Sequence, residues 1–285
     1  MILQSHIVHH LDQPVRLSDY VAGIFEDIPS KKGMRKAIKK NLVLVNGLPA
    51  ETGRWLNGGE LIELMDDARE HDLPTFEQKL QVLMEDDHIA VIAKPAGLEV
   101  NGNKFKTVEN ALPNNLRPSP LDNALPRPQA IHRLDHPTSG VLLIGKTRSA
   151  VRELNRQFEQ KEVRKIYHAI NIGEMPDSGT ITELVDGKAS ESAFVVLKRQ
   201  ASPRFEYLNL LQLFPVTGRR HQLRKHLAGI GHPILGDSTY FLEGKIYTRR
   251  GLFLHATSLT FTHPDSGERI TIEAELPKKF GRVMG

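Results

Sequence analysis

The feature that most limits the possible folds is the run of short apolar segments after residue 80. "HIAVIAKPAGLEV", "GVLLIGKT", "KIYHAINI", "SAFVVLK", "YLNLLQLFPV", "GLFLHATSLTFTHP" and "RITIEAELP" each contain one strand-length stretch, bounded by Gly, Pro or Asn. Helical spacing shows in only two places between them. From Thr147 onward, Val151, Leu154 and Phe158 fall on one helical face, and "TGRRHQLRKHL" reads as a turn opening a helix. A Pro- and Asn-rich loop is expected over residues 101–130. Strands therefore outnumber helices in the larger part of the chain, and no internal repeat is present.

The first 66 residues read differently. Leu17, Tyr20, Val21, Ile24, Phe25 and Ile28 recur at three- and four-residue spacing, which predicts an amphipathic helix with Ser18 near its cap and Pro29 as its stop. Ser30 can cap a second helix, on which Met34, Ala37, Ile38 and Asn41 share one face. Lys32, Arg35, Lys36, Lys39 and Lys40 lie on the other. "LVLVNG" and "NGGELIEL" supply two strands and their turns. The division expected is a small unit at residues 1–66, a polar, proline-broken linker at 67–79 ("MDDAREHDLPTF" runs into it) and a large domain at 80–285.

Composition narrows the function. With 39% hydrophobic and 25% charged residues in 285, the chain can build real cores and is not disordered. No apolar run approaches the ~18 residues of a membrane span, and the start lacks a basic-then-hydrophobic leader. A cytoplasmic protein without a membrane partner is expected. The absence of cysteine excludes disulfides, thiol catalysis and cysteine-bound zinc. Net charge is only +4, but its distribution is uneven: six of the ten residues from Lys31 to Lys40 are Lys or Arg. Between Ala201 and Arg250, eight Lys or Arg face three acids, Glu206, Asp237 and Glu243. Clustered positive charge of this kind suits nucleic acid.

"IHRLDHPTSG" (131–140) sets Asp135 among basic groups, just before an apolar strand. A metal site is disfavoured: His221 and His226 are five apart, not the three or four of two ligands on one helix face, and no HExxH occurs. Ser139 lacks the G-x-S-x-G elbow, and "GKTRS" lacks the upstream glycine of a phosphate loop. On the residues alone, Asp135 is either an ion-pair anchor or a catalytic carboxylate.

The surrounding motifs add a resemblance. "HRLDHPTSG" is similar to the R-L-D-x-x-T-S-G motif of RluA-like pseudouridine synthases, and Arg133, Leu134, Asp135, Thr138, Ser139 and Gly140 all match it. "IAVIAKPAGLEV", "KIYHA", "TGRRHQLRKHLAGIGHPILGD" and "LFLHATSLTFTHP" resemble the family's other motifs, in the family's order, over nearly all of residues 80–280. Arg220 replaces the usual threonine, and "LEVNGN" departs from the usual end of the first motif. The opening "RLSDYV", the basic helix, "VLVNG" and "GGELIEL" resemble the S-four-like RNA-binding module.

The resemblance implies an α+β fold, with a mixed, largely antiparallel sheet and flanking helices behind a small α/β module. It implies an isomerase that converts uridine in RNA to pseudouridine, without metal or cofactor. Asp135 would act at the sugar, by attack on the anomeric carbon or removal of a sugar proton. Tyr167 would stack on a flipped base, and Arg224 would hold Asp135, an apt use of a permanently charged fork. His132 and Arg133 would fill or hold the space the base vacates. Thr138, Arg219, His221 and Gln222 would contact RNA, as would Lys32, Lys36 and Lys39 of the small module. The expected partner is large-subunit (23S-type) rRNA ahead of tRNA, acted on by a monomer.

Overall fold

The computed structural model describes residues 1–285 apart from 22, 27, 29, 68–73, 246, 248 and 249. The expected stop at Pro29 and the middle of the expected linker lie outside the described residues. The chain divides into two units, Met1–Leu73 and Pro74–Gly285.

In the first unit the order is β1 (Ile2–Ile7), β2 (Val15–Arg16), α1 (Leu17–Tyr20), α2 (Lys31–Lys39), β3 (Val43–Val45), β4 (Leu48–Pro49), β5 (Trp55–Leu56) and β6 (Leu61–Met65). Its main sheet runs β1-β6-β3-β4, and β1, which sequence periodicity did not reveal, pairs antiparallel with β6. The helix expected over 17–28 is a single turn, α1. Gly23 takes φ 87°, outside the helical region, and the chain continues in turns. Leu17, Val21 and Phe25 are buried nonetheless, so the apolar spacing reports a packed face without a continuous helix. Ser18 lies inside that turn and Arg16 occupies the cap position.

α2 forms as read. The Ser30 hydroxyl accepts from the Gly33 N–H at 3.1 Å, Met34, Ala37 and Ile38 face the core, and Lys32, Lys36 and Lys39 face outward. Asn41 leaves that face: it follows the helix at φ 59° and is exposed.

The second unit contains β7 (Gln81–Glu85), β8 (Ile89–Lys94), α3 (Val108–Ala111), β9 (Ala124–Ala130), β10 (Ser139–Thr147), α4 (Arg148–Glu159), β11 (Arg164–Ile172) and β12 (Ser178–Ile181). It continues with β13 (Ser192–Ser202), β14 (Glu206–Pro215), α5 (Gln222–Gly229), β15 (Leu254–Thr262), β16 (Arg269–Glu273) and α6 (Lys278–Met284). The strands make one ten-stranded sheet in the order β12-β13-β14-β11-β15-β10-β8-β7, with β9 on β10 and β16 on β15. Every pairing is antiparallel except β10 with β15. The architecture is α+β.

β8 and β10 are buried on both faces. Ala90, Ile92, Leu142 and Ile144 enter one core, and Ile89, Val91, Val141 and Leu143 enter the other beneath α4. The loop expected over 101–130 contains structure: Thr107 caps α3, and Val108, Ala111 and Leu112 are fully buried against the sheet. β9 then pairs with β10. Residues before β7 also belong here, since the Phe76 N–H bonds the Asn110 carbonyl and the Leu80 N–H bonds Asn115 Oδ1 at 2.8 Å.

Candidate active site

Asp135 lies in the segment between β9 and β10. Its carbonyl accepts the Thr138 N–H at 3.0 Å, closing a turn that delivers the chain into β10. Gly140 follows at φ 121°, and a Cβ there would sit 2.0 Å from the Ala256 carbonyl oxygen. Only glycine lets β10 begin beside β15, where Ser139 pairs with His255 and Gly140 with Ala256. The Ser139 hydroxyl is hydrogen-bonded to His255 Nδ1 at 2.8 Å across that pair. The Thr-Ser-Gly run is thus the device that holds the Asp135 loop against the sheet.

Opposite stands the start of α5. His221 adopts φ 57°, a left-handed position unusual for a residue with a Cβ, and its Nε2 lies 3.8 Å from Asp135 Oδ1. Arg224, one turn on and buried, reaches Asp135 Oδ2 with Nη1 at 3.5 Å. That distance is an ion-pair contact rather than a hydrogen bond. The tight partner of Arg224 is Asp237, gripped through Nε at 2.7 Å and Nη2 at 2.8 Å. Asp237 also accepts the N–H groups of Thr239 and Tyr240, and the guanidinium lies over the Tyr240 ring. A fully satisfied, buried pair therefore fixes the arginine and leaves one nitrogen aimed at Asp135.

These residues open on a cavity of about 330 Å³, whose walls include His132, Asp135, Phe158, Lys165, Tyr167 and Arg224. Burial and the charge of Asp135 raise the Tyr167 pKa, so its hydroxyl stays protonated. Burial lowers the His221 pKa against the pull of Asp135, leaving a neutral ring at pH 7. Lys94, buried at the end of β8, drops to about 8, again by burial opposed by Asp135. His132 drops to about 3 through burial and the nearby Lys165. Its Nε2 accepts the Leu143 N–H at 3.1 Å and its ring stacks on Phe158 at 5.0 Å. These contacts make His132 part of the cavity wall.

The other expected residues separate. Thr138, Arg133, Arg219 and His221 line the cavity, Arg133 and Arg219 being exposed. Gln222 also lines it, but its amide is consumed internally. Oε1 accepts from Thr217 at 2.7 Å and from the Arg219 N–H at 3.0 Å, while Nε2 donates to Glu191 O and Ser192 Oγ, both at 2.9 Å. It holds the 217–221 loop in place. Lys32, Lys36 and Lys39 are in the first unit and are not cavity residues. The two histidines considered as metal ligands have other partners: His221 Nδ1 is hydrogen-bonded to the Tyr240 hydroxyl, and His226 is tied to Ser190 and Ser192.

Sequence reasoning did not single out Asp237, Tyr240, Phe158 or Lys165. Asp237 was legible in principle, as one of three acids in a strongly basic segment. Lys165 stands in the "KIYHA" segment without an assigned role, and Tyr240 and Phe158 needed the packing.

Residues 88–229, which carry Asp135, Tyr167 and Arg224, match the family model described as RNA pseudouridylate synthase. The chain is 32% identical to ribosomal large subunit pseudouridine synthase C of Vibrio parahaemolyticus, over 94% of this chain and 91% of that one. It is 36% identical to the dual-specificity RNA pseudouridine synthase RluA of Haemophilus influenzae, over 71% of this chain and 95% of the relative. The solved structure of Human RNA Pseudouridylate Synthase Domain Containing 4 superposes with a TM-score of 0.57 at 25% identity, covering 70% of this chain and 90% of the human one. With its sheet, its cavity and these relatives together, the chain belongs to the RluA-like family of RNA pseudouridine synthases, isomerases that act on RNA.

Proposed function

We propose that the cavity isomerises uridine in large-subunit rRNA, with Asp135 as the group that acts at the sugar. The observation that carries this is the convergence of Asp135, Tyr167, His221 and Arg224 on one cavity inside the family-matched segment. The choice of rRNA is supported by the relatives of Vibrio parahaemolyticus and Nitrosomonas europaea, which are named for the large ribosomal subunit.

The reaction breaks the bond from the anomeric carbon to N1 and remakes it to C5 of the same base, releasing the C5 hydrogen. Those atoms are shielded inside a stacked helix, so the nucleotide is flipped out into the cavity. Asp135 acts at the anomeric centre, and the single free Arg224 nitrogen, held by Asp237, keeps positive charge beside it. Tyr167 offers a flat ring and a protonated hydroxyl, which can donate to the base but cannot start as a proton acceptor. Neutral His221 is a second donor or acceptor at the carboxylate. Exposed Arg133, in the residue pair before Asp135, is placed to meet the RNA from which the base departs. Gln222 supports the loop that carries Arg219.

Residues 1–66 serve in this reading as an S-four-like RNA-binding domain, joined by 67–79 to the catalytic domain 80–285. Its outward Lys32, Lys36 and Lys39 hold phosphates. In this reading the enzyme works as a monomer, in the cytoplasm.

The test is release of tritium from rRNA labelled at C5 of uridine, followed by mapping of the modified position. Release with wild-type protein supports the assignment. Tight rRNA binding with no release on any fragment would make this a non-catalytic RNA-binding member of the fold.

A further inference from the structure

Lys165 stands on β11 two residues before Tyr167, and both line the cavity. Its side chain is half-buried, and among the described residues no carboxylate pairs with it. Burial and the neighbouring Lys161 hold its pKa below the ordinary lysine range. The adjoining wall cannot neutralise it, since His132 is uncharged and Phe158 is apolar. Around the same cavity Arg133, Arg219 and Arg220 add positive charge, while Asp135 is the one acid in the lining and already faces Arg224.

An ammonium held this way is costly in the empty protein, and an arriving anion relieves that cost. Compare Lys146, equally lysine and more deeply buried, which has Glu85 Oε1 at 2.8 Å. At Lys146 the fold supplies a counter-charge; at Lys165, among the described residues, it supplies none. Uracil is neutral, so the anion RNA brings is backbone phosphate.

We propose that Lys165 is a substrate-positioning residue that binds a non-bridging phosphate oxygen beside the flipped uridine. This rests on the reading of the cavity given above. The contact sits deeper than Arg219 and Arg220, which are exposed at the rim, so it reports whether a nucleotide has entered rather than whether RNA is near.

The chain has no cysteine, which permits a clean test on the full-length protein. Lys165→Cys is alkylated with 2-bromoethylamine, forming a sulfur–carbon bond as bromide leaves and restoring an ammonium of lysine length. Iodoacetamide gives a neutral adduct of similar size. Mass spectrometry confirms each product, and thermal melts compare folding. The probe is a large-subunit rRNA transcript, with binding and single-turnover pseudouridine formation measured across a salt series.

Lys165→Cys should lower kcat/KM about tenfold or more, mainly through KM, as loss of a charged hydrogen bond would. The slope of log affinity against log salt should shrink by roughly 0.7 to 0.9, one phosphate's share. The aminoethyl adduct should restore both and the neutral adduct neither. Equal recovery by the neutral adduct, or an unchanged slope with lower kcat, overturns the phosphate contact. A wild-type protein that forms no pseudouridine sinks the cavity's function and this inference with it. A wild-type protein that turns over while the cysteine variant keeps its slope sinks the inference alone.

Discussion

The antiparallel strands β8 and β10 each carry a buried lysine at or next to their last residue, and the two ends differ. At one end Lys146 donates to Glu85 at 2.8 Å and to the Asp86 carbonyl, while Asp86 accepts the N–H groups of His88 and Ile89 and pairs with His263 at 2.9 Å. Charges there are matched within hydrogen-bond distance. At the other end Lys94 finds only carbonyl oxygens, those of Leu98 at 2.6 Å, Pro95 at 3.0 Å and His136 at 3.4 Å. Its neighbour Asp135 has partners no closer than 3.5 and 3.8 Å. A cluster that only holds the fold matches its own charges; the cavity end leaves Asp135 with ion-pair contacts alone and Lys94 with carbonyls alone, as a site awaiting a ligand must.

The largest break in that comparison comes from Asp135→Asn. The amide keeps the shape and loses the charge, so turnover should fall by more than about 10⁴-fold, the scale on which reacting side chains are lost. RNA affinity and melting should hold. Tritium release within tenfold of wild type would remove Asp135 from the chemistry.

Arg224→Met and Lys146→Met form a pair. The first leaves Asp237, wholly buried, without its cation and should cost about 3–5 kcal/mol of stability as well as lowering the rate per folded molecule. The second leaves Glu85 short of a partner and should lower the melting temperature while turnover of the folded fraction stays normal. Melts and single-turnover rates at a temperature where both variants are folded separate the two. A normal rate in Arg224→Met would show that both ends are merely structural.

Lys94 tests the same contrast by pH. Its folded pKa of about 8 lies below the ordinary 10.5 of the unfolded chain. Between these values the unfolded state binds more protons, so stability should rise with pH there, by up to about 3 kcal/mol. Below pH 8 the buried charge is a standing penalty. The gain should be present in wild type and absent in Lys94→Met, read by denaturant titrations from pH 7.5 to 10.5. Parallel profiles would mean that Lys94 titrates normally.

The smallest effect on catalysis is expected in the first unit. Changing Lys32, Lys36 and Lys39 together to Gln keeps helix propensity and should flatten the salt slope of RNA binding by up to about 2 to 2.7, with saturated turnover little changed. Equal slopes and affinities for wild type and triple variant would make that face ordinary solvated surface.

Much of this was readable in the sequence. The Ser30 cap and the Met34, Ala37, Ile38 face placed α2, because a capping hydroxyl and a 3.6-residue period act within a few residues. The apolar runs placed seven strands of the second unit for the same local reason. The 17–28 segment shows the limit: its spacing identified buried residues, while Gly23 decided that they are carried on turns. β1, β7, β9 and β12 are short or polar-spaced and are strands only because a neighbour supplies the ladder.

By itself the sequence determined the chemistry available: a cysteine-free chain, an aspartate in a glycine-ended turn, and cations concentrated in two segments. That position 140 must be glycine was decided by the fold, which brings the Ala256 carbonyl against it. Only the tertiary structure decided that Arg224 is gripped first by Asp237, that Gln222 and His132 are spent on the framework, and that Lys165 faces the cavity without a carboxylate. Periodicity and capping are set by neighbours along the chain, whereas charge pairing and desolvation depend on which distant segments meet, here β10, β11 and α5 across some ninety residues of sequence.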